Sequence, residues 1–165
     1  MSRWFRSYGF ADVADRLLIG AYPLDQEDVS MLARLHVSRV LNVVEDAEYP
    51  DGAREAAGQA LTAAGITEVR LPMPDYGGLP APAIDSAVKT VSEWLEQSET
   101  VYLHCRAGWQ RSAALAAAVV AVHDGVDLDR ALAQIQARKS SADPLPHQRE
   151  DLERWWSASV ARGPD

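Results

Sequence analysis

The sequence predicts an α/β fold in which a short central sheet of about four or five strands is flanked by helices. Short runs rich in apolar and β-branched residues, such as 38–44 and 100–104, are typical of buried strands. Longer stretches such as 82–97 carry apolar residues at helical spacing. The joints between them are short, and strand, helix, strand over 38–71 indicates a parallel βαβ unit. The sheet is therefore expected to be mixed or parallel.

Strands are expected where short apolar runs end at turn-forming residues. These runs are 10–13, 16–20, 38–44, 66–71 and 100–104. The first two surround an Ala-Asp turn, and Gly20 ends the second. The third is almost wholly apolar, which predicts a strand covered on both faces.

Helices are expected where apolar residues recur every three or four positions between capping residues. They cover 26–35, 53–64, 82–97, 112–123, 128–137 and 147–159. Asp25 and Asp127 are suited to N-caps, whereas Gly65 and Gly125 are suited to end helices. The buried face of the first of these helices is expected to hold Val29, Leu32 and Ala33.

The two ends of the chain are expected to differ in order. Residues 2–8 place Trp4 and Phe5 between arginines, and we expect this arm to pack on the domain rather than to bind a ligand. Residues 161–165 are expected to form a frayed tail.

Length and composition limit the class of protein. The chain has 165 residues, 47% of them hydrophobic, which predicts a single domain over 1–165 with a core at about 10–158. No apolar run is long enough for a membrane span, and residues 1–10 lack the 7–15-residue apolar run of a secretory signal. A lone cysteine fits a reducing, cytoplasmic location, and the net charge of −8 disfavours nucleic acid as a partner. The oligomeric state stays open.

The stretch 100–112, T-V-Y-L-H-C-R-A-G-W-Q-R-S, predicts a strand, a tight loop and a helix. Such a loop directs backbone N–H groups inward at the positive end of a helix dipole, which suits a phosphate dianion. Gly108 is expected to provide a positive φ or a close approach of two backbones. Arg111 offers a planar guanidinium that binds two phosphate oxygens at once.

Cys105 lies where those N–H groups converge. A helix N-terminus and nearby cations lower the pKa of a cysteine from about 8.5 into a range of about 3.5–7.5, so we expect a nucleophilic thiolate. Ser112 is expected to place a hydroxyl beside the sulfur and to ease departure of the thiolate. His104 is expected to hold the loop through hydrogen bonds of its ring.

A second loop, 71–80 (L-P-M-P-D-Y-G-G-L-P, called the acid loop below), contains three prolines and two glycines. Asp75 in this loop is the candidate general acid, because loss of an alkoxide or phenoxide requires a proton donor. The alternative is that Asp75 only forms a turn ahead of Gly77. Asp46 lies in a different loop and Asp85 on a predicted helix, so both are less favoured.

At His104, Cys105, Gly108, Arg111 and Ser112 the chain resembles the cysteine-dependent phosphatases, whose signature is His-Cys-x5-Arg-Ser/Thr. Its length and its H-C-R-A-G-W-Q-R-S stretch are most similar to the small dual-specificity phosphatases, over about 12–156. The resemblance implies a phosphomonoester hydrolase, a protein tyrosine or dual-specificity phosphatase, with a cysteinyl-phosphate intermediate. In that family the general acid precedes the cysteine by about thirty residues, which agrees with Asp75. No cluster of metal ligands is visible in the sequence, so neither a metal nor another cofactor is expected.

The positions between the cysteine and the arginine are expected to contact the substrate. They are Arg106, Ala107, Gly108, Trp109 and Gln110. Only one of them is basic, whereas a polyphosphorylated lipid or RNA end favours several cations. Trp109 beside Arg106 resembles protein-directed members of the family. We therefore expect phosphorylated protein side chains as substrates, tyrosine preferred, with phosphoinositides or other small phosphate esters as the alternative.

Two further residues are weaker candidates for the site. Gln148 lies in a segment similar to the one in which the family places a glutamine or asparagine that positions the attacking water. Tyr49 lies in the acidic loop after the predicted strand 38–44, where ligand crevices of α/β sheets form; the alternative is that this loop is only a solvated connection.

Three other interpretations stay open from the sequence alone. In the first, Cys105 is a buried core thiol and Arg111 merely starts a helix. In the second, the chain is a rhodanese-type sulfur carrier, although such a carrier does not require the Arg111-Ser112 ending. The third is a phosphate-binding module without turnover, which is expected to have lost Cys105 or Asp75.

Overall fold

Five short strands form one mixed sheet in the computed structural model, which describes residues 1–163. The strands are β1 (Phe10–Ala14), β2 (Leu17–Gly20), β3 (Arg39–Asn42), β4 (Thr67–Arg70) and β5 (Val101–His104). Their spatial order is β1-β2-β5-β3-β4. β1 pairs antiparallel with β2, and the other neighbours are parallel. The predicted α/β class, the strand number and the parallel βαβ unit are confirmed.

Seven α-helices flank the sheet within these residues. They are α1 (Arg3–Tyr8), α2 (Gln26–Arg34), α3 (Ala53–Ala63), α4 (Ala81–Glu96), α5 (Arg111–Asp124), α6 (Leu128–Arg138) and α7 (Pro146–Arg162). As predicted, the Asp25 and Asp127 carboxylates accept hydrogen bonds from the third residue beyond each of them, and Gly125 ends α5 at φ 68°. α1 was not predicted: the Ser2 side chain caps it, and Phe5 is buried.

Two apolar cores lie on the two faces of the sheet. Along β5, Leu103 belongs to the core beneath α4–α7, whereas its neighbour Tyr102 belongs to the core beneath α1–α3. This alternation follows from the two-residue period of a strand. α5 is buried from Arg111 to Ala121, since it packs on the sheet and against α4, α6 and α7. Its run of alanines allows these close approaches.

Two details of the predicted elements were wrong. Ala33 is exposed, while Val29 and Leu32 are buried, because the apolar stripe of α2 is narrower than three adjacent positions imply. α7 continues to Arg162, so 161–162 of the predicted tail are helical. Residues 164–165 of that tail lie outside the described residues.

The topology brings four loops to one end of the sheet. β2, β3, β4 and β5 run parallel, so the segments that follow them emerge at the same edge. β5 is the middle strand, which places residues 105–110, the cysteine loop, at the centre of that edge. Within residues 1–163, no helix has the length and apolar character needed to cross a membrane.

Candidate active site

The cysteine loop joins β5 to α5 and needs a glycine at its middle. Gly108 has φ 76°, the left-handed region that disfavours other residues. A Cβ at this position would lie 2.6 Å from the backbone of Gly20 at the end of β2. Both reasons predicted for the glycine therefore hold: the loop turns through a positive φ while it packs directly on a neighbouring strand.

Cys105 and Ser112 face each other across the base of the loop. The Cys105 Sγ and the Ser112 Oγ are 3.2 Å apart, and both residues are buried. Cys105 nevertheless forms part of the wall of the pocket above the loop. The Ser112 hydroxyl is thus placed to donate a hydrogen bond to a thiolate at Cys105, as the sequence predicted.

His104 is a neutral support beneath the loop. Burial lowers the pKa of His104 from 6.5 to about 3; the bond to the Cys105 carbonyl opposes this shift, and the charge of Arg111 adds to it. Its Nδ1 lies 3.2 Å from that carbonyl oxygen, so Nδ1 carries the proton and donates. Its Nε2 has no hydrogen-bond partner among residues 1–163.

Arg111 is fully buried and is held on one side by carboxylate and carbonyl oxygens. Its Nη1 and Nη2 donate to the two carboxylate oxygens of Glu48 at 2.9 and 2.6 Å, and Nη1 also donates to the Met73 carbonyl at 2.7 Å. Burial by itself lowers the pKa of Arg111, but the Glu48 hydrogen bonds and the nearby acidic groups raise it. The buried Nε has no partner among the described residues. Because Glu48 and Asp75 occupy the terminal nitrogens, Nε is the N–H left for a phosphoryl oxygen, and the predicted contact of the guanidinium with two phosphate oxygens at once is not open in this arrangement.

Glu48 was not predicted as a site residue from the sequence. It ends a 3₁₀ turn, Asp46–Glu48, in the acidic loop after β3, and its carboxylate also accepts from the Glu45 backbone N–H at 2.8 Å. The sequence left two interpretations of this loop open, a ligand crevice and a solvated loop; the loop does reach Arg111, but through Glu48 and not through Tyr49.

The structure corrects the expectation for Tyr49. Its hydroxyl accepts from Asn42 Nδ2 at 2.8 Å, and its ring packs on Tyr22 with centroids 5.0 Å apart. Burial raises the pKa of Tyr49 to about 12. It is absent from the residues that line the pocket, because the 3₁₀ turn directs its side chain back to the sheet.

Asp75 reaches the same pocket from the acid loop. Its carboxylate lies 3.1 Å from Arg111 Nη2 and 4.0 Å from Arg106 Nη1. The turn interpretation is also true, since Asp75 Oδ1 accepts from the Tyr76 N–H at 3.2 Å. The two alternative acids lie elsewhere: Asp46 pairs with Arg70, and Asp85 accepts from Trp155 Nε1.

Gln148 does not face the pocket, in contrast to its predicted role as a water-positioning residue. It is fully buried, and both ends of its amide are used by the backbone. Its Oε1 accepts from the Leu145 N–H at 3.0 Å, and its Nε2 donates to the Gly77 carbonyl at 3.1 Å. Gln148 therefore joins the start of α7 to the acid loop.

The pocket above Cys105 has a volume of about 240 Å³ and an aromatic rim. Its lining residues are Trp4, Tyr8, Asp75, Tyr76, Cys105, Arg106, Ala107, Trp109, Gln110 and Arg111. Of the five predicted contact positions only Gly108 is missing, because it lies beneath the loop against Gly20.

The N-terminal arm packs on the domain as predicted, but it also builds the rim, a role that was not predicted from the sequence. Trp4 Nε1 donates to the Arg106 carbonyl at 2.7 Å, and the Arg106 guanidinium lies 5.0 Å from the Trp4 ring centroid. Tyr8 stands between Trp4 and Trp109, with centroid separations of 4.4 and 5.2 Å. The rim and the cysteine loop are thus one connected structure.

The site is a loop that begins with a cysteine, ends at a buried arginine and lies at the carboxyl end of the middle strand. This arrangement is typical of the cysteine-dependent phosphatases. The family model described as dual specificity phosphatase, catalytic domain, matches residues 17–157. The chain belongs to this family. The family and the fold support the function predicted from the sequence, that of a protein tyrosine or dual-specificity phosphatase.

Solved structures of phosphatases share the fold over nearly the whole chain. PTPMT1 is 24% identical with a TM-score of 0.80, covering 93% of this chain and 98% of its own. Tk-PTP in its active form is 21% identical with a TM-score of 0.79, covering 89% and 96%. Human DUSP28 is 21% identical with a TM-score of 0.75, covering 93% and 99%. No curated protein sequence matches the chain significantly.

Proposed function

We propose that the protein hydrolyses phosphate monoesters through a cysteinyl-phosphate intermediate, without a metal, and acts on phosphorylated protein side chains with tyrosine preferred. One observation carries the proposal: Cys105, Arg111 and Asp75 all line one pocket, and the Arg111 Nε has no hydrogen-bond partner among residues 1–163. Among residues 1–163, no three His, Cys, Asp or Glu side chains gather as a metal site requires.

In the first step the Cys105 thiolate attacks phosphorus. The S–P bond forms as the P–O bond to the ester oxygen breaks, and Asp75 transfers its proton to that leaving oxygen. Arg111 Nε and the N–H groups of residues 106–111 bind the equatorial oxygens, where charge develops in the transition state. Asp75 lies next to Arg111, so the acid and the phosphate donors reach the same phosphoryl group.

In the second step water displaces the sulfur. The Asp75 carboxylate now takes a proton from the water, whose oxygen bonds to phosphorus as the S–P bond breaks. The departing thiolate accepts a hydrogen bond from Ser112, whose hydroxyl lies 3.2 Å away. The products are inorganic phosphate and the starting enzyme.

Glu48 and His104 act on the groups that do the chemistry. Glu48 binds the two terminal nitrogens of Arg111, so only one direction stays open to the guanidinium. A free arginine side chain loses rotamer entropy when it binds a ligand. Because the ion pair with Glu48 already orders the Arg111 side chain, less entropy is lost when phosphate binds. Neutral His104 fixes the Cys105 carbonyl and adds no charge that competes with the phosphate.

The rim supports phosphotyrosine as the preferred substrate. Trp4, Tyr8 and Trp109 offer aromatic surface beside the phosphate position, which suits an aryl ring. Arg106 is the one basic residue among the variable loop positions, and it already stacks on Trp4 and faces Asp75. A headgroup with several phosphates is left with few cations to bind it.

A phosphoinositide is the second candidate substrate. PTPMT1, which shares the fold, has been solved in complex with PI(5)P, with a TM-score of 0.80 at 22% identity. Comparing kcat/KM on a phosphotyrosine peptide, a phosphothreonine peptide and a soluble phosphoinositide at one ionic strength decides between them. The tyrosine peptide is expected to be hydrolysed fastest; a tenfold preference for the phosphoinositide over both peptides would overturn the assignment.

The same assay separates an enzyme from a non-catalytic phosphate-binding module, which binds these ligands without releasing phosphate. The lone cysteine, which must stay reduced to attack, supports a cytoplasmic location. The net charge of −8 supports phosphorylated proteins over nucleic acid as partners.

A further inference from the structure

The turn that carries Asp75 is strained. Tyr76, the next residue, has φ 60°, a left-handed conformation that costs a residue with a Cβ about 1–2 kcal/mol. The Gly77 N–H donates to the Pro74 carbonyl at 3.0 Å and closes the turn. The Tyr76 side chain is 66% exposed, so its own packing does not account for this backbone. Strain of this kind persists only where the surroundings hold it.

Three side chains from the start of α7 hold the backbone immediately after Asp75. His147 Nε2 lies 2.9 Å from the Tyr76 carbonyl oxygen and 3.3 Å from that of Gly77, and since both partners accept, Nε2 donates. Gln148 Nε2 donates to the Gly77 carbonyl at 3.1 Å. Asp151 Oδ2 accepts from the Leu79 N–H at 2.7 Å. We call His147, Gln148 and Asp151 the α7 clamp.

α7 is itself fixed to the body of the domain. Leu152 and Trp155 are buried in the core beneath the sheet, and Trp155 Nε1 donates to Asp85 on α4 at 2.7 Å. The other end of the Gln148 amide accepts from the Leu145 N–H. The clamp therefore fixes the acid loop relative to the core.

We infer that the α7 clamp positions the Asp75 carboxyl at the pocket before substrate arrives, so that His147, Gln148 and Asp151 are positioning residues for the proton transfer. The inference rests on the proposed function, in which Asp75 is the general acid. Proton transfer requires donor and acceptor atoms within about 2.6–3.2 Å. A displacement of about 1 Å can cost on the order of 10²-fold in rate. None of the clamp side chains lines the pocket, so their effect passes through the loop.

The experiment uses variants of the full chain that change the clamp one contact at a time. His147→Ala, Asp151→Ala and their double variant remove contacts to the loop. Asp151→Asn removes the charge but keeps an oxygen that can accept from Leu79. Glu150→Ala is the matched control, since Glu150 is an exposed residue on the same turn of α7. Each is assayed with an alkyl phosphate and with p-nitrophenyl phosphate, whose leaving group departs without a proton.

The double variant is expected to lose about tenfold or more in kcat/KM on the alkyl phosphate and less than about threefold on p-nitrophenyl phosphate. Asp151→Asn should recover most of the loss seen in Asp151→Ala, and Glu150→Ala should match the wild type on both substrates. The Leu79 amide should exchange hydrogen faster in Asp151→Ala, which reports the broken contact without relying on activity. Exposed His147 can be replaced without disturbing the core, so that variant carries the test if the double variant does not fold.

Equal losses on both substrates, or no loss on the alkyl phosphate, would overturn the inference. Asp75→Asn run alongside separates its failure from that of the proposed function. If Asp75→Asn shows the leaving-group dependence and the clamp variants do not, the clamp assignment alone is wrong. If Asp75→Asn shows none, Asp75 is not the acid, and both fall.

Discussion

Glu48 binds both terminal nitrogens of Arg111, at 2.6 and 2.9 Å, although the two residues lie 63 positions apart in the chain. The arginine is 1% exposed and the glutamate 9% exposed. A buried pair of this kind contributes little by itself, but removing Glu48 leaves the buried Arg111 charge with Asp75, 3.1 Å from Nη2, as its nearest carboxylate. Glu48 is therefore a condition for keeping a cation at the base of the pocket.

Replacing Glu48 by Ala should cost up to about 3–5 kcal/mol of folding free energy, since Asp75 stays beside Arg111, and lower kcat/KM by more than about tenfold. Asp46→Ala is the matched control, because Asp46 lies on the same 3₁₀ turn but pairs with Arg70 at the surface, where a pair contributes at most about 1 kcal/mol. Urea unfolding and steady-state kinetics measure the two effects. Similar results for both variants would show that the Arg111 pair is not needed.

Gly108→Ala should abolish turnover and oxyanion binding. The new Cβ would lie 2.6 Å from Gly20 backbone atoms at a residue with φ 76°, so the cysteine loop must shift. Gly125→Ala is the control, since it has φ 68° but nothing within 4 Å of the added atom, and it should lose only about 1–2 kcal/mol of stability. Competitive inhibition by vanadate is the readout. Vanadate binding retained by Gly108→Ala would show that the loop tolerates a side chain.

His104 should make the fold sensitive to acid. Its pKa is 6.5 unfolded and about 3 in the folded protein because it is buried, so between these values only the unfolded chain binds the proton. The contribution of His104 to the free energy of unfolding is fully present above pH 6.5. It falls with decreasing pH, by at most about 5 kcal/mol near pH 3. Urea unfolding at pH 7, 6, 5 and 4 measures it.

His104→Asn should flatten this decline, since an asparagine amide can donate to the Cys105 carbonyl without titrating. His123→Asn, a change at an exposed histidine, should keep the wild-type slope. Identical slopes for wild type and His104→Asn would mean that another group causes the acid sensitivity.

The parts of the site that could be predicted are contiguous in sequence. His104 to Ser112 form a strand end, a tight turn and a helix start, and this local order is sufficient to bring Cys105, Arg111 and Ser112 together. Asp75 could be predicted as a loop residue because the prolines and glycines around it exclude a regular structure. In both cases the chemistry and the local backbone preference pointed to the same residues.

The parts that were missed depend on contacts between distant segments. From the sequence, any of several carboxylates in the acidic loop after β3 can pair with Arg111. The 3₁₀ turn, which the sequence did not predict, is what places Glu48 there. Trp4 and Tyr8 were predicted only to pack as part of an N-terminal arm, because the sequence does not show that α1 ends beside the cysteine loop. Gln148 was a weak candidate for positioning water because its segment resembles that of the family. Its observed partner, the Gly77 carbonyl, is a backbone atom that no side-chain pattern reveals.

Asp75→Asn should slow an alkyl phosphate by about 10²-fold or more and p-nitrophenyl phosphate far less. An amide cannot supply the proton that an alkoxide needs, whereas p-nitrophenolate leaves without one. Asp85→Asn is the control, because Asp85 does not line the pocket and an asparagine oxygen there can still accept from Trp155 Nε1. Equal losses on the two substrates would assign the acid to another residue.

In the proposed mechanism the phosphoryl group is bonded to the Cys105 sulfur before water releases it. Acid quenching of the wild-type enzyme during turnover of an aryl phosphate, followed by mass spectrometry of the peptide that contains residue 105, tests this directly. We expect one phosphoryl group on the Cys105 sulfur and none anywhere in Cys105→Ser, which should have lost turnover but still bind vanadate through Arg111 and the loop amides. Residual activity of Cys105→Ser within tenfold of wild type, or a wild-type enzyme that turns over with no phosphate on Cys105, would contradict the mechanism.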